Sequence, residues 1–523
     1  MNFSIALINP LFPPSFYSGH YNRDIRQDKF LVYPLSLATV AGVFSILGVK
    51  DIQIIDENIG DNILEAEHCN VIGITGFPSQ KKRILELAEK FKAMNKYVII
   101  GGPLATVFPE LLQKYFDTVF VGDAESSIKY FMSDFKSKSL KKIYYHSDGD
   151  VNNIFINPRY DLIKSNKYSF ASFQTIRGCR HKCEFCAIHL HSGNILMTKP
   201  IEKVIEELND ILKTKGKSSV FIADDNSAAD IQYFEALLQR FIIFQKENNY
   251  PFRFGTQLTI AIGKNEKILK LMAEAGYFMV FVGLESPITE SLNETGKKLN
   301  VNIDVFEAVK NIQSYGISVD SGSILGFDND NKNSHKAHLD FFQKLNIPCI
   351  YASMLYATPK TALYERLKRE NRLTGNDFNL GSNQGSLDSA LITNFTPKNM
   401  TLEEFKDSYI ELLRNLYSFE NFSKRLYGFL NTPLVINNEE FVPLSRGHKI
   451  NIIKHLFKLT MFYIVESFPF SFFVFIKTMF ITAKTKRFYI AFYHLVHFKQ
   501  VYIYYLKVIN GQKAKSNYEK LFH

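Results

Sequence analysis

The stretch Ile176–His189 reads IRGCRHKCEFCAIH and places three cysteines, Cys179, Cys183 and Cys186, at the spacing C-x3-C-x2-C. Three thiolates on one short loop can each take one iron of a four-iron cluster, leaving the fourth iron open to an outside ligand. A structural zinc site usually closes four ligands, so here His181, His189 or His191 would have to supply the fourth. The only other cysteines, Cys69 and Cys349, sit beside apolar strands and read as small core residues. Five cysteines in 523 residues make no disulfide framework, and their grouping suggests a metal site in a reducing compartment.

Outward from the loop, strand-like runs alternate with amphipathic ones. Downstream of the strand reading SFQTIRG come SSVFIADD, FRFGTQLT, FMVFVGLES, DSGSILGFD and CIYASMLYATP, with helices such as PIEKVIEELNDILKTKG between them. About six βα repeats of this kind predict a partial (β/α)6 barrel over residues 170–365. Upstream, SIALINP, DIQIID, VIGITG, YVIIGG and TVFVGD read as buried strands separated by helices, predicting a doubly wound, Rossmann-like domain over residues 1–140. The polar stretch from SKSLKK through SDGDVNN marks a linker, residues 141–169. A loop rich in Asn, Gly and Ser from Thr374 to Ser389 opens an extension over residues 366–440, with a helix that Thr401 caps. The fold class is therefore α/β with a mainly helical C-terminal region.

The cysteine loop, standing directly after the first strand of a βα series, resembles the radical S-adenosylmethionine (SAM) superfamily. The resemblance implies a [4Fe-4S] cluster on Cys179, Cys183 and Cys186, with SAM chelating the open iron. It also implies that Phe185, Asp224, Asp225, Glu285, Ser286, Gly326 and Ala357, at the ends of successive strands, contact SAM. For Asp224 and Asp225 the implied partner is the SAM ammonium, whereas Gly326 and Ala357 are shape beside the adenosyl group. Asn226 reads equally well as a helix cap. The N-terminal stretches INPLFPP, YPLSLATVAGVFSILG, IGITGF, IIGGPLAT and FVGDAESSIKYF are similar to the cobalamin-binding domain that precedes many radical SAM proteins. That likeness implies cobalamin contacts from Thr75, Gly76, Gly101, Gly102, Pro103, Thr106, Gly122 and Glu125. No D-x-H-x-x-G stretch is present, so that motif supplies no axial histidine.

ADDN, RFGTQLTI, LMAEAGYFMVFVGLESP, GKKLN, GSILGFDND and YATPKTALYERLKRENRL narrow the likeness to the subgroup of hopanoid C-2 methylases and bacteriochlorophyll side-chain methylases. Arg180 and His181 depart from its usual loop. The implied activity is methylation of an unactivated carbon of a lipophilic substrate, a polycyclic terpenoid or a tetrapyrrole, fed by an external one-electron donor. A cyclase or rearrangement enzyme without methyl transfer has the same motifs, and a non-catalytic iron-sulfur or zinc protein is the reading from another class. There is no H-E-x-x-H, Walker-type loop or G-x-S-x-G elbow to support a metalloprotease, NTPase or hydrolase.

The formal net charge of +10 sits in one place. Residues 441–523 hold 13 Lys plus Arg against 2 Asp plus Glu, together with 20 Phe plus Tyr, so the preceding 440 residues are close to neutral. Within residues 450–509, LTMFYIVESFPFSFFVFI is mostly apolar but broken by Glu466 and Pro469, which argues against a spanning helix. Lys484, Lys486, Arg487, Lys499 and Lys507, interleaved with Phe488, Tyr489, Tyr493, Tyr502 and Tyr505, suggest an anionic membrane surface as partner. The competing reading packs these aromatics on the barrel. Nucleic acid is disfavoured, because no binding module is recognisable. An N-terminus without a secretory leader places the chain in the cytoplasm, at the inner face of the membrane if the tail attaches there. On that reading a chain cut near Thr432 loses vesicle binding and keeps its cofactors.

Overall fold

The computed structural model describes residues 3–15, 18–25, 28–146, 155–192, 196–375, 387–436 and 446–522. Most of the expected linker tip and most of the loop after Thr374 lie outside the described residues. The first sheet has six parallel strands in the order β3-β1-β4-β5-β6-β7: β1 Ser4–Asn9, β3 Asp51–Asp56, β4 Val71–Thr75, β5 Tyr97–Gly101, β6 Thr118–Val121 and β7 Ile143–Tyr145. Alternate residues of β1 enter two separate apolar clusters, Ile5 and Leu7 one, Ala6 and Ile8 the other. A strand buried on both faces must be apolar at every position, which is why SIALIN shows no alternation.

The second sheet is also wholly parallel, in the order β15-β14-β13-β12-β11-β8-β2. Its members are β8 Tyr168–Phe173, β11 Ser218–Ile222, β12 Phe252–Leu258, β13 Tyr277–Glu285, β14 Ser318–Leu325 and β15 Cys349–Met354. Five of these fall on the runs expected of a partial barrel; the other, β8, ends at Phe173, so most of the expected run SFQTIRG lies beyond it. The seventh, β2 Phe30–Val32, comes from the N-terminal region and pairs with β8 in the register Phe30↔Tyr168 and Val32↔Phe170. The short run FLV between polar residues gave no sign of crossing to the other sheet, because three residues carry no usable period.

On β14 the Ser323 hydroxyl lies 2.8 Å from Nδ1 of His338, in the outer helix Ser334–Lys344. Asp320 and Gly322, on the opposite face, therefore line the interior. Phe281 of β13 and Tyr351 of β15 meet there, ring centroids 5.8 Å apart.

The basic tail forms helices Arg446–Val465, Phe470–Thr485, Phe488–Asn510 and Asn517–Phe522. The third, which we call the floor helix, lies across the N-terminal ends of the barrel strands. Tyr489 hydrogen-bonds the Ser219 hydroxyl at 2.7 Å, and the Arg253 guanidinium stacks 4.1 Å from the Tyr489 ring centre. Tyr493 donates to Asp320 Oδ2 at 2.8 Å, and Nε2 of His494 lies 2.9 Å from the Ser318 hydroxyl. Ser219, Arg253, Ser318 and Asp320 all stand in the opening residues of their strands, so the helix closes that end. It also holds the N-terminal segment: the Tyr21 amide donates to Gln500 Oε1 at 2.8 Å, and Lys499, 1% exposed, pairs with Asp24 at 2.8 Å.

This arrangement corrects the interfacial use of the floor-helix residues. Arg487 is buried and donates to the Phe429 carbonyl, Lys507 pairs with Glu519, and Tyr489, Tyr493, Tyr502 and Tyr505 make ring contacts within the protein. Of the residues singled out, Lys484, Lys486 and Phe488 face solvent. Among the described residues no helix is long and apolar enough to cross a membrane. Because Phe419 and Phe422 pack on Phe498 at 4.9 and 3.9 Å, a cut near Thr432 would strip a core rather than release an appendage.

Candidate active site between the two sheets

The cysteine loop leaves β9 Ile176–Arg177 and enters the short helix Ile188–Ser192. All three thiols are partly buried and free of disulfides. Burial raises their pKa, that of Cys186 to about 11, so a bound metal must displace those protons. Among the described residues the three sulfurs do not close to within 4.8 Å of one another with or without a histidine, the spacing that ligands of a single ion would share. His189 Nε2 is instead held at 2.7 Å by the His181 carbonyl. No histidine among the described residues joins the three sulfurs as the fourth ligand that a closed zinc site needs. A cluster that gives each thiolate its own iron does not require the sulfurs to meet, and the donor set fits it.

The carboxylate pair after β11 divides into two roles. Asp224 is buried and accepts from the Thr175 amide (2.6 Å), the Ile176 amide (2.9 Å), the Thr175 hydroxyl (2.5 Å) and the Ser227 hydroxyl (2.7 Å). Four donors saturate it, so it fixes the base of the cysteine loop and is not free for a ligand ammonium, contrary to the sequence expectation. Asp225 accepts from the Gly178 amide at 2.9 Å and lines the cavity between the sheets. Asn226 is buried with Oδ1 unpartnered and is no helix cap; Asp230 caps the helix that follows.

Glu285, the last residue of β13, holds a left-handed backbone (φ 66°) and accepts from Lys297 Nζ at 2.6 Å. Burial works against the lysine's charge, but Glu285, together with Cys183 and Cys186, outweighs it and pushes the Lys297 pKa up. Its ammonium lies 5.8 Å from the centre of the Phe185 ring, which in turn sits 5.8 Å from Phe327. Lys297 was missed as a site residue although it stands in the run GKKLN. A lysine on a polar run reads as solvated surface until the fold buries it. Ser286 accepts from the Ile288 amide at 3.1 Å and shapes the turn.

Gly326 and Ala357 each answer a packing constraint within the protein. At φ 117° a Cβ on Gly326 would run into the Phe405 ring, so the glycine makes room for the C-terminal extension. Ala357 is clamped by Asn394, which accepts from its amide (2.9 Å) and donates to its carbonyl (2.8 Å).

In the first sheet, Thr75, Gly101, Gly102, Gly122 and Glu125 line a cavity of about 410 Å3 at the carboxyl ends of the strands. Its far wall includes Arg177, His191 and Asp225 of the barrel. Gly102 has φ 85°, and a Cβ there would lie 2.5 Å from Thr75 Oγ1. The cradle thus depends on backbone that a side chain would fill. Gly76 accepts from the Leu104 amide, Pro103 opens the helix Pro103–Val107, and the Thr106 hydroxyl accepts from the Gly122 amide at 3.0 Å. These three support the rim rather than line the cavity. Arg177 joins the two sheets through ion pairs to Glu125 at 2.8 Å and Asp123 at 3.0 Å. Burial opposes its charge, and the two carboxylates outweigh that and hold it protonated. Sequence reading missed Arg177, which lies 52 residues from Glu125 and meets it only in the fold.

The Radical SAM superfamily model matches residues 173–342, and a domain of unknown function matches residues 361–510. An uncharacterized methyltransferase of Synechocystis is 32% identical over 425 residues, covering 80% of this chain and 77% of that one. The protein belongs to the radical SAM methyltransferases. The hopanoid C-2 methylase of Rhodopseudomonas palustris is 29% identical, with 71% of each chain covered. The solved structure of the cobalamin-dependent SAM radical enzyme OxsB superposes with a TM-score of 0.59 at 15% identity, over 99% of this chain and 82% of that one, and so shares the fold. As a member of this family the chain is a radical SAM enzyme and a methyltransferase, with a [4Fe-4S] cluster and SAM as cofactors.

Proposed function

We propose that the enzyme methylates an unactivated carbon of a lipophilic, polycyclic substrate. The carrying observation is the inner face of the barrel below Glu285. Phe221, Phe281 and Tyr351, from three strands, are only half buried there, and Tyr351 also meets the His497 ring of the floor helix at 5.1 Å. An inner face lined by aromatic rings and closed at its base by the floor helix suits a flat apolar skeleton. The similarity to a hopanoid methylase supports the same class of substrate.

In this reading Cys179, Cys183 and Cys186 hold the cluster, while Lys297 and Asp225 stand ready for the carboxylate and ammonium of SAM. Phe185 shields the loop, and Glu285 keeps the Lys297 ammonium in place. Thr75, Gly101, Gly102 and Gly122 form the cradle that receives the corrin, and Arg177 fixes the two sheets so that both cofactors face one substrate. When bound, the cofactors supply a carbon-centred radical and a transferable methyl group, chemistry that no side chain provides. Residues 1–140 and 170–365 would thus serve as corrin-binding and SAM-binding units, with residues 366–440 and 441–523 closing the barrel.

The test is turnover of reconstituted enzyme on candidate polycyclic lipids and tetrapyrroles, with SAM labelled in the methyl group. Label in the product, with S-adenosylhomocysteine formed alongside 5'-deoxyadenosine, is expected. Cobalamin-independent turnover, or an unlabelled product, would reject the proposal. An extract comparison with and without the enzyme should show a lipid or pigment heavier by one methylene.

A further inference from the structure

The helix Phe470–Thr485 is apolar on both sides, and its residues are distributed in an unusual way. With 100° per residue, Ser471, Val474, Phe475, Thr478, Ile481 and Thr482 fall on one side, and all six are buried. Three of these are hydroxyl residues whose side chains bond backbone carbonyls: Ser471 to Tyr463, Thr478 to Val474 and Thr482 to Met479. The opposite side carries Phe470, Phe473, Ile476 and Phe480, which are 47, 65, 47 and 73% exposed. Phe468, at the turn before the helix, is 66% exposed. A helix that serves only the core puts its large rings inward and its hydroxyls outward. Here three hydroxyls share the inner side with Val474, Phe475 and Ile481, while four large apolar side chains face outward.

The charge on the same side is all of one sign. Lys477 and Lys484 lie within the exposed arc and Lys486 just beyond it, all three exposed and none paired with a carboxylate among the described residues. Residues 467–488 contain no Asp or Glu. Adjacent rings with a lysine border suit the region between headgroups and acyl chains, where an apolar side chain is buried shallowly and an ammonium meets phosphate. The helix is not long and apolar enough to span.

We propose that this face, Phe468, Phe470, Phe473, Ile476 and Phe480 with Lys477, Lys484 and Lys486, seats the enzyme on an anionic lipid bilayer. The floor helix beside it stays in the protein. The proposal stands independently of the substrate: an enzyme that binds vesicles without methylating a lipid would reject the substrate reading and leave the surface intact.

The chain has no Trp, so a single introduced one reports on its own position. In full-length holoenzyme, Phe473→Trp should co-sediment with vesicles containing about one-third phosphatidylglycerol and be quenched by brominated acyl chains, whereas Tyr130→Trp, exposed on the first domain, should not be quenched. Phe473→Ser with Phe480→Ser should lower vesicle partitioning at least ~10-fold and leave thermal unfolding unchanged, since both rings are solvent-facing. Replacing the three lysines by Gln should weaken binding to anionic vesicles and not to neutral ones. Partitioning unaffected by the double Ser variant, or an absence of quenching in the Phe473→Trp variant, overturns the proposal. So does a dimer in solution that the double Ser variant dissociates, since the face then belongs to a second copy.

Discussion

The two ends of the barrel sheet use polar groups in opposite ways. At the carboxyl ends of the strands, Glu285 and Lys297 hold each other, while Asp225 and Arg177 are tied to neighbours and line the cavity between the sheets. At the amino ends, Ser219, Ser318 and Asp320 meet side chains of the floor helix, and the last two are shut away from water. One end can therefore change ligands without unfolding, whereas the other is part of what keeps the sheet folded.

The largest effect should come from removing the floor. A chain ending at Thr432 leaves Phe419, Phe422 and Phe429 without their partners in the last helices, each worth about 1.5–3 kcal/mol of burial. It should yield aggregated protein; a soluble, cofactor-binding product of normal unfolding temperature would end the distinction between the ends. Next, Cys183→Ala should reduce SAM cleavage, read as 5'-deoxyadenosine, to the uncatalysed background while the circular dichroism spectrum stays native. At the same end, Lys297→Met strands the Glu285 carboxylate. A loss of about 3 kcal/mol in denaturant unfolding is expected, together with about 10- to 100-fold weaker SAM cleavage.

The smallest effect on SAM cleavage concerns pH at the floor. Burial pushes the Asp320 pKa up to about 7 from an ordinary 3.8, against the donation from Tyr493 and the neighbouring Cys349. The folded state then keeps a proton that the unfolded chain releases, so stability contributed by this group is full at acid pH. It is lost as pH rises from about 4 to about 7, with no further change above. Asp320→Asn should flatten the urea midpoint over the accessible part of that range and leave SAM cleavage unaltered. A slope that persists in the variant would show that another group carries it.

Much of this organisation was legible from residue order. The cysteine spacing is local, and a loop of eight residues states its own chemistry. The apolar strand runs gave both parallel sheets, because a strand covered on two faces has no freedom in composition. Asp224 was legible as a polar strand end, but which of Asp224 and Asp225 keeps a free carboxylate depends on Thr175 and Ile176, which arrive from 49 and 48 residues away. Lys297 and Arg177 escaped notice for the same reason: their partners lie 12 and 52 residues away.

The tail shows the boundary most sharply. Its sequence determined that a basic, aromatic, helical region follows the barrel, since composition and the scarcity of helix breakers are properties of the chain itself. Which helix lies inside could not follow from composition. Phe470–Thr485 and Phe488–Asn510 are both apolar around most of their circumference, so neither carries a period that names its buried side. Only the tertiary structure decided that the helix with histidines and tyrosines closes the barrel, where Ser219, Ser318 and Asp320 answer its polar atoms. The helix with more phenylalanine packs one side only, Val474, Phe475 and Ile481 among hydroxyls bonded to backbone carbonyls, and keeps its other rings at the surface.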